Sequence, residues 1–191
     1  MSFIKTIPEN QAVGLVLDQY NSNRTKLGYV ANLTKAFSLR PEVYDTWEKL
    51  IGTIRSKMRL RLYELVTLSS AMAIQCEYCM VAHASVLRKN FFSVDQMVAI
   101  VKDFRTAGLL PEEVAAMSFA QKISLQSHKI NQQDTDDLRN HGFTDEEILD
   151  IIQASAARNF FAKILSATGA KFDDAYLELE PELLRILTVD H

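Results

Sequence analysis

Apolar residues recur along this chain at helical rather than strand spacing. After an extended start through Pro8, Val13, Leu15, Val16 and Tyr20 predict a helix over 10–20, with Asn21-Ser22-Asn23 as its break. Gly28 opens a short helix over 30–37, which stops before Pro41 because the residue preceding proline is driven out of the α region. Pro41 suits a first helical turn, and Val43, Trp47, Leu50, Ile51 and Ile54 form one stripe over 42–54. From Lys57 to about Ile74, Leu60, Leu62, Leu65, Leu68 and Met72 cover more than one face, which predicts a central helix.

Further helices are expected over 77–89, 94–106, 111–127, 131–140 and 144–169, with a short last one after Pro181. Ser93 with Gln96 and Thr144 with Glu147 are capping boxes, in which each partner satisfies the other's orphan amide. Glycine and proline fall where these helices should stop. The fold class is therefore all-α.

Composition sharpens this picture. With 191 residues, 48% of them apolar, the chain has ample material for one core. It reads as one domain, with an N-terminal helical arm over about 1–40, a core holding both cysteines over about 41–127, and C-terminal helices over about 128–191. The first residues lack a basic stretch followed by a long apolar run, so a cytoplasmic protein without membrane segments is expected. A net charge of −3 with dispersed signs removes the electrostatic footprint of a nucleic-acid binder. Arg55, Lys57, Arg59 and Arg61 cluster, and are read as a solvated helix face. His128, His141 and His191 have no partners by spacing and are expected to face solvent.

The candidate chemistry lies in one stretch. Both cysteines stand in Cys76-Glu77-Tyr78-Cys79, followed by His83 and preceded by Glu64. On a helix advancing about 100° per residue, Cys76, Cys79 and His83 share a face, so the imidazole one turn after Cys79 is placed to take a thiol proton. An unbroken helix would hold Glu64 about 18 Å from Cys76 and on another face. For the carboxylate to serve the thiols, the chain must bend sharply between Ile74 and Glu77. The residues alone leave other readings open: a buried inert thiol pair, or zinc held by Cys76, Cys79 and His83 with Glu64 or water. No flavin-, nicotinamide- or phosphate-binding loop is visible, and no metal site is assigned.

The array of Glu64, Cys76, Cys79 and His83 resembles the alkylhydroperoxidase D-like branch of the carboxymuconolactone decarboxylase superfamily, in particular its uncharacterised peroxidase-related members. Gly28-Tyr29-Val30-Ala31-Asn32 and Arg158-Asn159-Phe160-Phe161 resemble looser elements of the same family. The resemblance implies an alkylhydroperoxidase D-like helical fold, assembly as a homotrimer or homohexamer, and reduction of organic hydroperoxides or disulfides. By position it implies Cys79 as peroxidatic thiol, Cys76 as resolving thiol, His83 as proton acceptor and Glu64 as the orienting carboxylate. An external dithiol protein, lipoyl-bearing or thioredoxin-like, is implied as reductant. Tyr78 stands where the family's best-described peroxidase has a second histidine. Tyr78, Met80 and Asn159 are expected to line the substrate pocket. Two other functions stay open, lactone decarboxylation on the same fold and a non-enzymatic redox-sensing or zinc-binding module.

Overall fold

The computed structural model describes residues 2–188, so His191 lies outside the described residues. Ten α-helices and no strand are found among them. They are α1 (Gly14–Leu27), α2 (Asn32–Ala36), α3 (Pro41–Arg55), α4 (Leu60–Ala73), α5 (Glu77–Asn90), α6 (Val94–Asp103), α7 (Pro111–Gln126), α8 (Gln132–Asn140), α9 (Asp145–Thr168) and α10 (Pro181–Leu187). No described helix is long and apolar enough to cross a membrane.

The centre is α4, as its all-round apolar character requires: every residue from Leu62 to Ala71 is buried. It packs against α5, α7 and α9, while α7 also packs on α9. Leu65, Leu68, Val81, Leu87, Met97, Ile100, Met117 and Leu165 fill one half of the core. Leu62, Tyr63, Val66, Ala120, Leu138 and Ile151 fill the other. Arg61 clamps the starts of α4 and α7 together through a two-pronged bond to Glu113, at 2.6 and 2.8 Å. Glu113 in turn accepts the Leu110 N–H at 3.1 Å, so one buried carboxylate ties both helix ends.

Both capping boxes form as read, at Ser93–Gln96 and Thr144–Glu147. The N-terminal arm differs. α1 does not break at Asn21-Ser22-Asn23 but runs to Leu27, because the Asn23 carboxamide has a tertiary use: it accepts from Ala31 N–H at 3.0 Å and Thr34 hydroxyl at 2.8 Å. Gly28 closes α1 in the left-handed region, at φ 86°, instead of opening the next helix. The α6 helix ends at Asp103 rather than Thr106.

Candidate active site

The bend expected between Glu64 and the cysteines is present, and its chemistry is local. Gln75 sits at φ 54°, a left-handed position usually taken by glycine. Its N–H bonds Met72 carbonyl at 3.2 Å, and the next, from Cys76, bonds Ala71 carbonyl at 3.1 Å. This double closure of α4 turns the chain so that Cys76 becomes the N-cap of α5.

Both thiols are free and buried, Cys76 at 1% and Cys79 at 2% exposure. Their titrations are coupled. The Cys79 thiol donates to the Cys76 sulfur, which pulls Cys76 down to about 6 against the opposing effect of burial; the Cys79 backbone N–H, Ser166 and Arg158 add to the pull. The same hydrogen bond, together with burial, pushes Cys79 up. Arg158 of α9 reaches the pair from the other side, its Nη1 donating to Cys79 Sγ at 3.6 Å.

Folding α5 back on α4 brings His83 to Glu64, with Nδ1 2.6 Å from Glu64 Oε2. Thr67 Oγ1 lies 3.1 Å from the same nitrogen, but its hydroxyl already donates to the Tyr63 carbonyl at 2.7 Å. The network therefore assigns the Nδ1 proton to the bond with the carboxylate, leaving Nε2 as the acceptor. Burial, reinforced by the Arg158 charge, holds His83 below its usual value although Glu64 opposes this, so the imidazole is neutral at rest. Arg61, three residues before Glu64, is engaged by Glu113. Arg55 stands 3.9 Å from the Glu64 carboxylate and lines the cleft, so this member of the basic cluster is not merely a solvated residue.

Glu64, His83 and Arg158 line one cleft of about 390 Å³, walled by Trp47, Tyr63 and Tyr176. Cys76 lines another, of about 510 Å³, with Tyr78, Ser166 and Lys171 among its walls. The two clefts share no lining residue.

Of the three other residues expected to line a pocket, Tyr78 lines the Cys76 cleft, and Met80 and Asn159 line neither cleft. Tyr78 is buried at the edge of the Cys76 cleft, its hydroxyl donating to Asp173 in a very short hydrogen bond; burial, then the Asp173 charge, push its pKa well above the usual tyrosine range. Met80 is part of the buried core and lines neither cleft. Asn159 points to α7, donating to Ser124 Oγ at 2.9 Å, because the residue that faces the thiols from this turn of α9 is its neighbour Arg158. Arg158 and Asp173 carry no signal in the sequence: the arginine belongs to the Arg158-Asn159-Phe160-Phe161 element, but its spacing to the cysteines does not mark it. Among the described residues no group of three or more His, Cys, Asp or Glu is placed to hold a metal ion, which leaves the zinc arrangement without geometric support. His128 and His141 are exposed, as expected.

Residues 41–122, which contain the whole Glu64-to-His83 array, match the model of the carboxymuconolactone decarboxylase family. The chain superposes on the alkylhydroperoxidase AhpD core, an uncharacterized peroxidase-related protein, from Ralstonia eutropha JMP134, with a TM-score of 0.83 and 24% identity over 92% of this chain and 94% of that one. An uncharacterized peroxidase-related protein from Silicibacter sp. TM1040 gives a TM-score of 0.77 and 23% identity, covering 92% and 91% of the two chains. The debrominase Bmp8, in a complex with 2,3,4-tribromopyrrole, gives 0.77 and 17%, covering 97% of this chain and all of that one. At these identities the likenesses establish the alkylhydroperoxidase D-like fold. No curated protein matches the chain.

Proposed function

We propose that this chain, of the alkylhydroperoxidase D-like and carboxymuconolactone decarboxylase superfamily, is a thiol-dependent hydroperoxide reductase acting through Cys79 and Cys76. The observation that carries this reading is the convergence of the Glu64–His83 pair and Arg158 on one cleft beside a buried free dithiol.

The cycle follows from that arrangement. The proton shared by the sulfurs moves to Cys76, presenting the thiolate at Cys79 next to Arg158. Cys79 attacks the distal oxygen of an organic hydroperoxide; an S–O bond forms as the O–O bond breaks, and the electron pair leaves on an alkoxide. The alkoxide takes up a proton from solvent relayed by His83, whose transient positive charge Glu64 balances. Cys76 then attacks the sulfenic sulfur of Cys79, and the expelled hydroxide leaves as water with the Cys76 proton. An external dithiol protein, lipoyl-bearing or thioredoxin-like, reopens the disulfide by exchange. Disulfide reductase activity is the second reading, favoured by Cys76 lining a cleft of its own with its thiol pulled down to about 6. The aromatic cleft walls suit an organic rather than a purely inorganic peroxide. Homo-oligomeric assembly, trimeric or hexameric, belongs to the same proposal.

Free thiols counted before and after one equivalent of cumene hydroperoxide test it. Loss of two thiols per chain without crosslinked chains is expected. Retention of both thiols sinks the peroxidase reading, and a small disulfide offered to the reduced protein then tests the second.

A further inference from the structure

We propose that Arg158 is a further catalytic residue, the counter-charge that keeps the dithiol ionised and steers the negative charge to Cys79, an inference that rests on the thiol chemistry proposed above. Arg158 is buried, with 5% of the residue exposed. None of the ion pairs among the described residues includes it. Its Nη1 donates to Cys79 Sγ at 3.6 Å, while Nε has no acceptor. Its flanks are aromatic faces, Trp47 at 5.7 Å and Phe161 at 5.6 Å.

A charge buried in such surroundings needs an opposite charge close by, since unpaired burial is among the costlier defects a fold can carry. The groups facing it are few. From α4 come Tyr63 and Glu64, from α5 Cys76, Cys79 and His83, from α3 Glu48 and Arg55, and from the segment 174–178 Tyr176. Glu64 is already taken by His83 at 2.6 Å and Arg55 at 3.9 Å. Tyr63 and Tyr176 are held neutral, both raised chiefly by burial. Glu48 lines the same cleft but makes no ion pair with Arg158, whereas the sulfur pair is contacted at 3.6 Å through Cys79 and is placed to balance the guanidinium. Reduction of the disulfide restores a thiolate beside Arg158, and oxidation removes it, so the same side chain favours the dithiol over the disulfide.

Two measurements decide this without any peroxide. In the unaltered reduced protein, thiolate absorbance at 240 nm followed against pH is expected to report one thiolate per chain, with a midpoint of about 6. A protein with no thiolate up to pH 8 overturns the inference, and this result needs no variant that folds.

The second isolates Cys79 in a Cys76→Ala background and follows its bromobimane alkylation against pH. Arg158→Met is expected to raise the midpoint by about one pH unit or more, and Arg158→Lys to keep most of the original value. With both cysteines present, Arg158→Met is expected to shift the equilibrium with a glutathione redox buffer toward the disulfide about tenfold, or about 30 mV. A merely structural arginine moves the melting temperature of Arg158→Met but leaves both midpoint and redox equilibrium where they were. If peroxide fails to consume the thiols while these shifts appear, the peroxidase reading falls and the role of Arg158 stands; the opposite pattern removes Arg158 alone.

Discussion

His83 Nδ1 lies 2.6 Å from Glu64 Oε2 across the bend that joins α4 to α5, although 19 residues separate them in sequence. The carboxylate fixes the ring's tautomer, and in the proposed cycle it balances the ring's charge when a proton passes through. Glu64→Gln keeps the shape but removes that charge. Peroxide-driven thiol loss is expected to slow about 10- to 100-fold, within the range for an orienting partner of a general acid or base. His83→Ala should cost a similar factor, and the double variant little more, because the two act as one unit. Fully additive losses in stopped-flow thiol consumption would separate them into independent roles.

The same pair gives the protein an acid-sensitive element. Burial holds the folded-state His83 below the 6.5 of an ordinary imidazole, so the native state refuses a proton that the unfolded chain accepts. The unfolded state then binds more protons wherever pH falls below about 6.5, and stability declines with falling pH through that window. Urea midpoints at pH 7.5 and 5.0 are expected to fall further in the wild type than in His83→Gln, which has no ring to protonate. Equal declines remove His83 from the acid response.

How much of this was legible from sequence depends on whether the signal was local. The capping boxes at Ser93 and Thr144 involve residues three apart and were readable directly. The bend at Gln75 was readable only from the chemistry, because local propensity continues α4 whereas a carboxylate that serves the cysteine helix requires a break, and the break brings Glu64 to His83. Asn21-Ser22-Asn23 misled because Asn23 looks like a helix breaker and is in fact a tertiary cap for α2. Arg158 was missed in favour of Asn159 because one residue along a helix rotates a side chain by about 100°, and sequence alone gave no phase for α9 relative to α5. Asp173, at the edge of an irregular segment, carried no periodic signal at all.

Asp173 makes a further prediction. It accepts the Tyr78 hydroxyl with one oxygen and the Asn32 N–H, at 2.7 Å, with the other, tying the first turn of α5 to the start of α2. Tyr78→Phe leaves a buried carboxylate oxygen unpaired and is expected to cost about 1–3 kcal/mol of unfolding free energy. Hydrogen exchange over 173–178 should rise with it. A loss below about 0.5 kcal/mol by urea denaturation would show that the bond adds nothing beyond packing.

Gln75 offers the opposite sign. A residue with a Cβ at φ 54° is strained there, whereas glycine enters that region freely. Gln75→Gly is expected to stabilise the fold by about 0.5–1 kcal/mol, reduced by the extra freedom glycine brings to the unfolded chain. The measurement is again the denaturation midpoint. If it falls, the Gln75 side chain makes a contribution that outweighs its backbone strain.

The separation of the two clefts predicts which sulfur the reductant touches. Cys76 lines its own cleft, while Cys79 lines neither and stands beside Arg158. Along α5, Cys76 and His83 are about 10 Å apart, so a thiol arriving in the Cys76 cleft need not displace a substrate held near His83. Attack on the Cys76 sulfur breaks the disulfide and leaves the electron pair on Cys79, where the guanidinium accepts the charge. Attack on Cys79 would expel the thiolate away from that cation. Glutathione added to the oxidised protein, followed by rapid iodoacetamide quenching, should therefore give peptides with glutathione on Cys76 and the alkyl group on Cys79. Mass spectrometry showing glutathione on Cys79 would reverse the order of exchange and assign the approach of the reductant to the cleft lined by Glu64, His83 and Arg158.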